Sequence, residues 1–108
     1  MRTLEDIKDL ANEIKRFLID KYGGSIKQVI VYGSFARGEA TEASDIDMAV
    51  ILDDSLNPEN VEYELSDFLF DILLDRNELI SVFAIPENIY ENYNSPFILN
   101  TKAEGVAI

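Results

Sequence analysis

A chain of 108 residues with neither cysteine nor histidine cannot form disulfides, thiolate metal sites or a histidine general base, so its chemistry must run on carboxylates, hydroxyls, Lys or Arg. Its 21 acidic and 9 basic residues give a net charge of −12, which disfavours direct binding of nucleic acid and suits either simple solubility or a basic protein partner. With 47% hydrophobic residues but only short apolar runs, residues 1–108 are expected to form one small domain, cytoplasmic, with no membrane span and no signal-peptide core.

Thr3 followed by Asp6 resembles a capping box. Leu4, Ile7, Leu10/Ala11, Ile14 and Leu18 then recur at three- and four-residue spacing, which predicts an amphipathic helix from Leu4 to Lys21, ended by Gly23-Gly24. Gln28 to Tyr32 is a β-branched and aromatic run, read as a buried strand that Gly33-Ser34 breaks. Phe35 to Ala40 has room for one short helical turn, and Thr41 to Ser44 reads as a loop. Asp45 to Leu52 is a second strand. Asn57-Pro58 is a cap-then-proline helix start, with Val61, Leu65, Phe68/Leu69 and Ile72 as the buried stripe. Tyr63, Phe68 and Phe70 on that helix are expected to pack, and Asp53-Asp54 to form a solvated turn. Leu79 to Ile85 gives a third strand, and Ser95-Pro96 opens a last helix to Glu104. The order α-β-turn-β-α-β-α is that of an α+β domain, a small mixed sheet with helices mainly on one face.

Two short stretches carry chemistry. Asp45 and Asp47 lie two apart on a strand and so share a face. Paired carboxylates repel unless a cation joins them, and Mg²⁺ is often held by one or two carboxylates plus substrate phosphates. Alone, Asp-x-Asp in so acidic a chain fits a solvated strand end equally well. Gly33 after a buried strand allows close backbone approach to a ligand, Ser34 adds a hydroxyl for a phosphate oxygen, and Arg37 offers a fork of donors either to phosphate or to an acidic neighbour. Gly-Ser alone is a common turn.

Together, Gly33-Ser34-Phe35-Ala36-Arg37-Gly38 and Ser44-Asp45-Ile46-Asp47 resemble the signature of the polymerase-beta-like nucleotidyltransferase superfamily, closest to its minimal nucleotidyltransferases. The resemblance implies a nucleotidyltransferase fold and transfer of a nucleoside monophosphate, AMP from ATP, to a hydroxyl acceptor. It places Gly33, Ser34, Arg37 and Ser44 on the nucleotide, and Asp45 and Asp47 as catalytic carboxylates that hold Mg²⁺ or Mn²⁺. It also implies an antitoxin role toward a helical HEPN-type toxin partner, with a homo-oligomer left open. One departure stands out. Members usually carry a third carboxylate on a later strand, where Leu79-Ile80-Ser81-Val82-Phe83 offers Ser81. Glu78 could substitute only through a bulge, since odd spacing sets it on the opposite face. A nucleotide-binding antitoxin that is weakly active or inactive, and neutralises its partner by binding, is the alternative.

Overall fold

A computed structural model describes residues 1–108. The Thr3 N–H donates to Asp6 Oδ2 at 2.9 Å, opening a 3-10 turn, Leu4–Ile7, that runs into α1, Lys8–Tyr22. The predicted single helix therefore starts with a tighter turn. Strand β1 spans Ile26–Tyr32, two residues earlier than Gln28, and the one-turn helix α2 spans Ser34–Arg37. Strand β2 is Ile46–Leu52, so Asp45 stands just before the strand rather than in it.

Helix α3, Pro58–Arg76, begins where the cap signal lies: Asn57 Oδ1 accepts from the N–H groups of Glu59 and Asn60, at 2.9 and 3.4 Å. Strand β3 is Ile80–Pro86, one residue later than Leu79. A short helix that the spacing did not reveal, α4, spans Glu87–Asn92. Helix α5, Pro96–Glu104, has the predicted bounds, with Ser95 Oγ accepting from the Ile98 N–H at 3.2 Å. A two-residue strand, β4, Val106–Ala107, is also additional.

The sheet order is β3-β2-β1-β4, antiparallel at β2–β1 and β1–β4 and parallel at β2–β3. The parallel pair is possible because α3 forms the crossover between its strands. Alternation along the strands sorts the side chains onto two faces. Val29, Val31, Ile46, Met48, Val50, Leu52 and Ile80 join Ile14 and Leu18 of α1 and Val61, Leu65 and Ile72 of α3 in the main core. On the opposite face Ile30, Ala49, Ile51 and Ile85 form a smaller cluster, with Ile89 and Tyr90 of α4 and Phe97 of α5 packed against it. The long helices thus occupy one face, as expected, and the short C-terminal helices cover part of the other.

Two expectations for α3 need correction. Phe68 does pack, its ring stacked 4.7 Å from that of Phe17. Tyr63 and Phe70, however, are 79% and 57% exposed, because both fall outside the Val61–Leu65–Ile72 stripe that faces the sheet. Asp53 forms the expected turn, its Oδ2 accepting from the N–H and hydroxyl of Ser55, but Asp54 does more: its Oδ1 accepts from the N–H of Asn88 on α4.

The cap at Asn57 carries two amide partners, so Asn57→Ala is expected to lower the unfolding free energy by about 1 kcal/mol. Urea denaturation should show an earlier midpoint at unchanged slope.

Candidate active site

Register, not motif, assembles the site. Tyr32 pairs with Asp47 across β1–β2, and Asp47 pairs with Ser81 across β2–β3. The row Ser81–Asp47–Tyr32 thus crosses the less covered face of the sheet. Directly after Tyr32, Gly33 turns the chain with φ 77° and ψ −152°, a conformation open to glycine and costly for residues with a Cβ. A Cβ at Gly33 would overlap Asp47 Oδ2 and stand 3.2 Å from its Cγ. The Asp47 carboxylate therefore lies against the backbone of the turn.

Asp45 is exposed at the end of the preceding loop, within electrostatic reach of Asp47. Burial pushes the Asp47 carboxyl above its ordinary value, Asp45 pushes it further, and Arg37 offsets part of this. A carboxyl raised in the folded state favours its protonated form. Its ionisation therefore costs stability as pH rises through and beyond the carboxylate range, and a bound cation would remove that cost. Burial, then the nearby Asp47, pushes the Tyr32 phenol up to about 12, so it stays neutral at physiological pH. Tyr32 is a site residue that the motif did not single out; its only signal in sequence is its place before Gly33.

Other predicted residues stand close by but are engaged in bracing. The Arg37 Nε donates to Glu39 at 2.9 Å and its Nη1 to Glu104, at the end of α5, at 3.2 Å. Of the two uses open to this guanidinium, the fold makes the acidic-neighbour one. Ser44 Oγ accepts from the Thr41 N–H at 2.8 Å, fixing the loop ahead of Asp45. Ser34 is the first residue of α2, at the turn itself. Amides at a helix start have no intrahelical acceptor, and the residue just before those of α2, Gly33, is the one against which Asp47 lies.

Glu78 is held elsewhere. Both its oxygens accept from the Arg2 guanidinium, which also sits 5.1 Å above the Phe35 ring. The bulge that would bring Glu78 to the site is absent from the regular β2–β3 register, and Ser81 stands beside Asp47. No three His, Cys, Asp or Glu side chains cluster as a protein-only metal cage. Asp47, with Asp45 within electrostatic reach of it, is a donor pair of the kind that would hold Mg²⁺ together with substrate phosphates. Neither carboxylate lines any of the three surface hollows.

Gly33→Ala should force a strained φ costing about 1–3 kcal/mol and turn the Asp47 side chain away. The expected result is a folded protein whose affinity for Mg²⁺–triphosphate, measured by calorimetry, falls at least as far as in Asp47→Asn.

Comparison with known proteins identifies the family. A family model described as a nucleotidyltransferase domain matches residues 11–102. A Methanocaldococcus jannaschii protein bearing a protein adenylyltransferase name is 43% identical over 86 residues, covering 79% of this chain and 84% of its own. The protein adenylyltransferase MntA of Thermococcus cleftensis is 31% identical over 90 residues, covering 82% and 87%. Among solved structures, a toxin–antitoxin crystal structure with AMP-PNP has a similar fold, with TM-score 0.64 at 18% identity over 90% of this chain and 70% of that one. The chain belongs to the nucleotidyltransferase domain family.

Proposed function

We propose that residues 1–108 form one minimal nucleotidyltransferase domain that transfers AMP from ATP to a hydroxyl on a partner protein, as the antitoxin of a toxin–antitoxin pair. The observation that carries this reading is the contact of Gly33 with Asp47, which sets a carboxylate against the backbone of the turn. The protein adenylyltransferase names of the relatives and the fold shared with a toxin–antitoxin structure support the nucleotide and the kind of partner. A helical toxin of the HEPN type is the proposed partner, and the net charge of −12 favours a basic docking face on it.

Gly33 and the start of α2 cradle the phosphates, with the Ser34 hydroxyl on a phosphate oxygen. Arg37 contributes positive charge from its braced position, and Ser44 holds the loop that presents Asp45. Asp45 and Asp47 would hold Mg²⁺ or Mn²⁺ against the phosphates. A divalent cation there neutralises phosphate charge and lowers the proton affinity of the acceptor oxygen. That oxygen bonds to the α-phosphorus, the bond from the α-phosphorus to the bridging oxygen breaks, and pyrophosphate leaves. With serine at position 81, no third carboxylate takes the acceptor proton, which passes to water.

Ser81 also favours a second reading, in which the protein binds nucleotide and neutralises its toxin by occlusion with little turnover. Mass measurement of the toxin after incubation with ATP and Mg²⁺ separates the two. An added AMP supports transfer, and a tight complex without an adduct supports occlusion.

Asp47→Asn is expected to abolish Mg²⁺-dependent ATP binding while raising the melting temperature at neutral pH, because a disfavoured charge is removed. That gain should vanish as pH falls through the carboxylate range, where wild-type Asp47 is itself protonated. Calorimetry and melts from pH 3 to 8 test both parts; unchanged ATP affinity in the Asp45→Asn, Asp47→Asn double variant would count against the site. Ser81→Asp, beside Asp47 in register, is expected to raise the single-turnover rate of AMP transfer by about a hundredfold, the low end for a placed general base.

A further inference from the structure

The open face carries an aromatic ring next to the carboxylates that packing does not account for. Phe83 lies on β3 two residues beyond Ser81, paired with Ala49 of β2, and is 51% exposed. Its ring meets that of Phe97 edge to face at 5.5 Å, and Phe97 in turn meets Tyr32 edge to face at 5.3 Å. Tyr32 on β1 and Phe83 on β3 lie on opposite sides of β2, so the three rings reach across the sheet face beside the row that holds Asp47. Phe97 is held on both sides and half-buried, whereas Phe83 has one aromatic neighbour and an open flank.

Strand addition does not explain this exposure. At the next residue, the Ala84 N–H on the outer edge of β3 donates to Glu62 Oε2 of α3 at 2.8 Å, which closes the edge to an incoming strand. The position does suit a nucleotide. One strand across and two residues along separate Phe83 from Asp47 by roughly 8 Å, a gap that a ribose spans when the phosphates rest at the turn. An acidic protein repels phosphate over most of its surface, but an uncharged base meets no such barrier at a phenyl face.

We propose that Phe83, buttressed by Phe97, is the stacking platform for the nucleobase of the bound nucleotide. This rests on the reading of Gly33, Asp45 and Asp47 as the phosphate and metal site. Stacking on one aromatic face tolerates every base, so the platform confers affinity with little discrimination between ATP and GTP.

The test compares Mg²⁺–ATP with Mg²⁺–tripolyphosphate, which lacks a base, by calorimetry on wild type, Phe83→Ala, Phe83→Leu and Phe83→Tyr. Phe83→Ala and Phe83→Leu are expected to weaken ATP about tenfold and leave tripolyphosphate unchanged, with Phe83→Tyr near wild type. Leucine keeps the apolar contact without the ring, and a melting curve for each variant establishes that it is folded. The chain has no tryptophan, so Phe83→Trp provides a single indole, expected to be quenched by ATP and not by tripolyphosphate. Undiminished ATP affinity in folded Phe83→Ala or Phe83→Leu, with tripolyphosphate still binding, overturns the platform alone. Failure of wild type to bind either ligand overturns the nucleotide reading beneath it.

Discussion

The contact on which the site depends is steric: backbone at Gly33 against carboxylate at Asp47, with no space for a methyl group between them. It follows from two constraints that the sheet imposes together. Antiparallel pairing of Tyr32 with Asp47 brings the end of β1 level with the start of β2. The chain must then leave β1 at once, and it does so through a positive φ that glycine adopts without penalty. A shift of one residue in the β1–β2 register would send Asp47 to the core face, among Val31, Met48 and Val50, where an unpaired carboxylate would be far costlier. The apolar core therefore fixes where the acid emerges.

The polar residues around this contact serve mainly to hold it. Arg37 ties α2 to the end of α5 through Glu104. Gly105 follows directly, and a Cβ there would stand 2.6 Å from Ile30 Cγ2, so α5 ends hard against β1. Arg2 joins the chain start to Glu78 ahead of β3, and its own N–H donates to the Ala40 carbonyl at 3.0 Å. Ser44 closes the turn before Asp45. Each brace acts on a segment that enters or leaves the carboxylate row. Arg37 has a second effect, since its charge partly offsets the upward push on Asp47 while its hydrogen bonds go to other acids.

Elements defined by local chemistry were legible in the sequence. Asn57-Pro58 and Ser95-Pro96 mark helix starts because a side-chain acceptor and a residue without an N–H suit free amides wherever they occur. Elements created by distant contacts were not. β4 is two residues long and is a strand only because Val31 and Ile30 lie opposite it, and α4 is a six-residue segment whose start is tied to Asp54, 34 residues away. The same division runs through the site. The Gly-Ser turn and the paired acids could be read as motifs, and Ser81 could be aligned by its place in an apolar run. That Arg37 is spent on Glu104, Glu78 on Arg2, and that Tyr32 and Phe83 flank the acids, depends on register and packing between segments up to 76 residues apart.

The charge inventory of the row leads to a view of what the site is suited to do. Asp47 is flanked by two hydroxyls, Ser81 on one side and Tyr32 on the other, with the Tyr32 phenol neutral well above physiological pH. Only Asp45 adds negative charge near it. A third carboxylate at position 81 would supply a proton acceptor for the attacking hydroxyl, but would also add repulsion against an incoming triphosphate. Serine removes both effects. On the proposed reading, the exchange slows proton removal and withholds one carboxylate ligand from the divalent cation.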